Sequence, residues 1–119
     1  MREILFRGKR IATNTWVEGS LLNYGDGDYD ICAESDVPGE LNKYAVYPKT
    51  IGQYTGLKDK KGNKIFEGDI VKFGSFIPGA EEYMGEVNWD YSLFDEYKYV
   101  WDTKCEVVGN IHDNVDLLI

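Results

Sequence analysis

Apolar and polar residues alternate over short stretches of this chain, and no window of ten residues or more repeats its apolar positions with a helical period. The first alternating block is EILFRGK, where Ile4 and Phe6 share one face of an extended strand. RGKRIATNT supplies a polar, glycine-containing connection, and Trp16 to Leu22 forms the return strand of a hairpin. The stretch from Asn23 to Asn42 is acidic, rich in glycine and mostly loop, interrupted by the apolar triplet Ile31-Cys32-Ala33. Lys43–Tyr47 and Thr50–Tyr54 read as strands broken at Pro48, since proline cannot donate to a ladder.

In the second half, Ile65-Phe66 enters a turn at Glu67-Gly68-Asp69, and Ile70–Phe73 leaves it as a strand. Further strands are predicted over Gly85–Trp89, around the alternating Tyr97, Tyr99 and Trp101, and over Glu106–Ile111. The tail DNVDLLI predicts one helical turn with Asp113 or Asn114 as its N-cap. Short strands at regular spacing give a mainly β fold, a small barrel or roll that closes its own edges.

The chain has 119 residues, enough for one domain with a buried core. Its 43% apolar and 14% aromatic content fits a globular β protein rather than a disordered one. The net charge of -8 disfavours nucleic acid unless the charge is segregated, and here it is. Lys43 to Phe73 holds seven lysines against three acids. Lys58, Lys60, Lys61 and Lys64 crowd one short loop, with Tyr97 and Tyr99 available for stacking, so these six residues form the candidate interaction surface. Lysines more commonly just solvate loops and strand edges.

Candidate chemistry is sparse. KDKKGNK lacks the glycine spacing of a phosphate loop and carries lysines where a calcium loop needs acids, which leaves a hairpin turn at Gly62-Asn63. Asp26-Gly27-Asp28-Tyr29-Asp30 matches the opening of a calcium loop, yet Ile31 stands where glycine is required and Val37 where the closing glutamate belongs. A lone His112 beside Asp113 lacks a nucleophile nearby in sequence. Cys32 and Cys105 form no metal-binding spacing and read as buried, reduced thiols. The paired acids Glu81-Glu82 and Asp95-Glu96 fall in loops. These readings predict no catalytic residue, no metal and no cofactor. The charged start MREILFRGKR resembles no secretory leader, and no apolar run is long enough for a membrane helix, so cytoplasmic residence is expected.

FRGKRI and WVEGSL near the start, IGQYTGLKDKKGNKIFEGDIVKF in the middle, and GEVNWD and EVVGNIHDN near the end resemble the YopX family of phage and prophage proteins. The resemblance covers nearly the whole chain as a single domain, 1–119. It implies an N-terminal β-hairpin region over about residues 1–55 and an SH3-like roll over about residues 56–119. It brings no established catalytic residue. Gly52, Gln53, Tyr54, Thr55, Gly56, Leu57, Glu67, Gly68 and Asp69 match its central motif, and their expected role is structural: glycines for turns, Asp69 bonding backbone N–H groups, Tyr54 packing. The implied setting is a bacterial cytoplasm. The function expected is a non-catalytic interaction module, a homo-oligomer with a further host or phage protein as a possible partner. Two alternatives stand beside it: nucleic-acid binding through the lysine loop, and an acidic surface that mimics DNA and occupies a host DNA-binding protein.

Overall fold

The computed structural model describes residues 4–34, 37–73, 83–88 and 105–118. It is mainly β, in antiparallel sheets, and the chain divides into two compact units, Met1–Tyr54 and Thr55–Ile119.

The first unit is a meander. Strands β1 (Phe6–Lys9), β2 (Trp16–Asn23), β3 (Tyr29–Glu34) and β4 (Leu41–Ala45) follow one another, and the start of β5 (Gly52–Lys58) pairs with β1 on its far side. The spatial order is therefore β4-β3-β2-β1-β5. The register puts Phe6 opposite Gly19 and Leu21 opposite Ile31, so alternate residues Phe6, Val17, Leu21 and Ile31 share one face. That face carries the core, with Ile31 and Val46 fully buried. Two glycines permit close approach. A Cβ on Gly8 would lie 2.9 Å from Val46 Cβ, and one on Gly19 would lie 2.2 Å from the carbonyl oxygen of Cys32.

Two sequence expectations change here. Ile4 precedes β1 and is exposed rather than sharing the strand face with Phe6. The region from Asn23 to Asn42 holds a full six-residue strand, Tyr29–Glu34, paired on both sides. Tertiary pairing on two edges overrides the low β-propensity of its acidic residues. Pro48 opens a 3-10 turn, Pro48–Thr50, between β4 and β5. Thr50 fixes that turn to β1: its hydroxyl donates to the Tyr47 carbonyl at 2.6 Å and accepts the Lys9 N–H at 2.8 Å.

The second unit begins within β5. The end of β5 pairs with β6 (Lys64–Phe66) as a hairpin, and β7 (Asp69–Phe73) lies between β8 (Tyr83–Glu86) and β9 (Cys105–Asn110). Leu57, Ile65, Val71, Val87 and Cys105 form its buried core, with Val107 packed against them. The β7–β9 register shifts between Ile70 and Val71, because Ile70 pairs with Gly109 and Val71 with Val107. The odd residue out, Val108, marks a bulge that adds local twist. The tail forms a 3-10 turn over Val115–Leu118. Asn114 does not use its side chain to cap that turn; its Oδ1 accepts the Asn110 N–H instead, at 3.3 Å.

Candidate functional site

The central motif runs through β5, its loop and the β6–β7 turn. Gly52 and Gln53 pair with Arg7 and Phe6 of β1, and the Tyr54 N–H donates to the Leu5 carbonyl at 2.7 Å. Tyr54 is buried. The Thr55 hydroxyl, also buried, donates to the Ile65 carbonyl at 2.7 Å and accepts the Leu57 N–H at 3.2 Å, joining β5 to β6. Gly56 has a φ of 87°, which a side chain would resist. Leu57 goes into the core.

Asp59 organises the loop that follows. It is 4% exposed, and its carboxylate accepts the N–H of Lys61 at 2.9 Å, of Asn63 at 2.8 Å and of Val107 at 2.9 Å, plus the Asn63 side-chain amide at 3.2 Å. The Asp59 N–H donates to the Asn63 carbonyl, and Gly62, at φ 85°, donates back to the Asp59 carbonyl. The Lys60 N–H reaches the Cys105 carbonyl at 2.9 Å. The loop is thus closed by its own aspartate and laced to β9. Burial alone pushes the Asp59 carboxyl up, but the hydrogen bonds from Val107, Asn63 and Lys61 outweigh it and hold the group below its ordinary range.

A second carboxylate repeats this design at the β6–β7 turn. Asp69 is 1% exposed and accepts the Phe66 N–H at 2.8 Å across Glu67 and Gly68. Gly68, at φ 92°, donates to the Val87 carbonyl and accepts the Ile111 N–H, both at 2.9 Å. Glu67 sits half-buried in the turn.

The lysines of the candidate surface separate under this geometry. Lys61 pairs with Glu106 at 2.6 Å, and Lys60 approaches the same carboxylate at 3.7 Å. The Lys61 bond lowers the Glu106 pKa and raises that of Lys61. Lys58 and Lys64 are exposed at the end of β5 and the start of β6. Tyr97 and Tyr99 lie outside the described residues, as do Trp89, Trp101, Glu81, Glu82, Asp95 and Glu96. Asp59 and Glu106 were not singled out from sequence. The signal for Asp59 was available in Asp-x-x-Gly-Asn, a turn-closing pattern, whereas nothing local ties Glu106 to a loop 45 residues earlier.

The remaining candidates are structurally ordinary. Asp30 lies in β3 opposite Leu22 and accepts the Tyr24 hydroxyl at 2.6 Å, while Asp26 accepts the Asp28 N–H at 3.0 Å. Among the described residues no group of three or more histidine, cysteine or acidic side chains is arranged to hold a metal. His112 is exposed in the turn after β9, its backbone N–H bonded to Asn110 Oδ1. Cys105 is buried, and that burial, with Asp59, Asp69 and Glu106 nearby, pushes its thiol up to about 12. No helix among the described residues is long and apolar enough to cross a membrane.

Residues 5–119 match the family described as YopX protein. The chain belongs to the YopX family. The crystal structure of protein EF1440 from Enterococcus faecalis is similar to this YopX chain over 100% of each, with a TM-score of 0.60 and 23% identity, a likeness of fold. No curated protein matches the chain.

Proposed function

We propose that this YopX protein is a non-catalytic interaction module that associates with copies of itself, in a phage or prophage setting within a bacterial cytoplasm. The observation that carries the reading is the exposure of large apolar side chains on the first unit: Ile4 at 76%, Leu41 at 65% and Val37 at 51%. Apolar residues exposed together on a small β unit favour association. The motif's buried carboxylates support the same reading, since Asp59 and Asp69 are engaged by backbone N–H groups and not presented to a substrate.

Nucleic-acid binding through the lysine loop is less favoured because Glu106 already engages Lys60 and Lys61. The acidic-mimic reading draws on Asp26, Asp28 and Asp30, which line an open cleft of about 420 Å³ with Tyr24 and Tyr29. Light scattering combined with titration of DNA and RNA at about 50 and 200 mM salt separates these readings. The expected result is a defined oligomer and no shift. A salt-sensitive shift that vanishes when Lys58, Lys60, Lys61 and Lys64 become Gln replaces the proposal with nucleic-acid binding. A monomer that captures only basic proteins replaces it with mimicry.

A further inference from the structure

Strand β4 ends the sheet of the first unit, paired along its length with β3, while just past its end Val46 bridges Arg10. The Val46 N–H donates to the Tyr29 carbonyl, so even-numbered positions of this strand face β3. Hydrogen-bonding direction alternates along an antiparallel strand, which turns the backbone groups of Leu41, Lys43 and Ala45 outward. Ala45 shows this directly, because its carbonyl accepts the Ile11 N–H at 3.0 Å. Among the described residues nothing bonds the outward N–H and C=O groups of Leu41 and Lys43. The strand is exposed at four of its five residues. An unpaired edge of this kind is a template for another strand.

We propose that the β4 edge is the self-association surface, pairing antiparallel with β4 of a second copy so that Leu41 of each lies opposite Lys43 of the other. This rests on the reading of the protein as a self-associating module and names its contact. Three registers bring the outward-facing residues together as hydrogen-bonded pairs. One sets Lys43 against Lys43, a like-charge pair directly opposed, which is unfavourable. One centred on Leu41 sets Lys43 against Gly39, where the lysine stem has no side chain to cover. The register centred on Asn42 sets each Lys43 stem on the partner's Leu41 and forms two hydrogen-bonded pairs.

Charge complementarity favours this last register. Leu41 lies directly opposite Glu34 in the β3–β4 ladder, so the two share a face. Extending the ladder places Lys43, the partner's Leu41 and the partner's Glu34 in one row. Strands about 4.8 Å apart put the two charged residues about 10 Å apart at the backbone, a span that a lysine and a glutamate close together. Glu34 and Glu18 line a groove of about 480 Å³ that Leu41 borders, along with Ile4 and Leu5. The lysine of one copy is thereby directed at an acidic, partly apolar groove on the other, and the symmetry repeats the contact.

The test is light scattering on the full chain across a concentration series, with three variants. Lys43→Pro removes an outward N–H and leaves the β3 ladder intact. Lys43→Glu introduces repulsion toward Glu34, and Lys43→Glu with Glu34→Lys restores the pair. The expected result is an associating wild type, a lower mass for Lys43→Pro with an unchanged circular dichroism spectrum, at least tenfold weaker association for Lys43→Glu, and recovery in the double variant. Should Lys43→Pro fail to fold, the charge swap decides. Wild-type mass in Lys43→Pro and Lys43→Glu overturns the β4 contact but leaves self-association standing through another surface. A wild type that is monomeric throughout overturns both, and assigns Lys43 the role of protecting the edge.

Discussion

Asp59 and Val107 lie 48 residues apart, and the carboxylate of one accepts the backbone N–H of the other at 2.9 Å. That single bond fastens the hairpin loop to β9, which also receives the Lys60 N–H at Cys105. The loop that looks most like a ligand-binding element in sequence is therefore a brace within the second unit.

Replacing Asp59 with Ala leaves three backbone N–H groups without their acceptor, at the one buried side chain of an otherwise exposed loop. We expect a loss of about 3 kcal/mol, given about 1.5–3 kcal/mol for a hydrogen bond to a charged group. Asp59→Asn keeps one acceptor but turns an amide donor toward the N–H of Val107 or Asn63, so it loses most of the same stability. Urea unfolding measures this as a lower midpoint at unchanged slope. Wild-type midpoints in both variants contradict the brace.

The acid limb of stability follows from the same carboxylate. Its folded pKa lies below the ordinary value, so it binds a proton less readily folded than unfolded. Its contribution is present above the unfolded pKa of about 4 and is lost as pH falls through the folded value. Glu106, held down by Lys61, shifts in the same direction. The wild type should lose stability below about pH 4 more steeply than Asp59→Asn, as read from unfolding midpoints at stepped pH.

Gly68 and Gly19 test two different backbone requirements. Gly68→Ala forces a side chain into φ 92° and should cost about 1–2 kcal/mol. Gly19→Ala sets a methyl carbon 2.2 Å from a backbone oxygen of β3, so β2 and β3 must separate. It should cost about 3 kcal/mol or more, toward the upper end for overpacking. Thermal unfolding of the pair should rank Gly19→Ala as the more damaging.

Thiol reactivity distinguishes the two cysteines. Cys105 is buried with its thiol held protonated up to about 12, whereas Cys32 is half-buried beside the groove near Leu41. Thiolates, not thiols, react. A disulfide reagent at about pH 8 should label one thiol of the native protein and two after denaturation. Rapid labelling of both in the native state rules out the burial of Cys105.

The return strand at Trp16–Leu22 and the turn at Glu67-Gly68-Asp69 were enough to determine a mainly β chain with these hairpins, because strand pattern and turn chemistry are local properties. The family, too, was legible in the central stretch. The strand Tyr29–Glu34 was not, since acidic residues become strand only when β2 and β4 pair with them. Nor was the fate of the lysine loop. Lys60 and Lys61 read as a free basic patch until β9 brings Glu106 beside them, and Asp59 reads as one more surface charge until three N–H groups converge on it. Local pattern sets which segments extend and where they turn. Only the pairing of distant strands decides which charges are buried, satisfied or left at an edge.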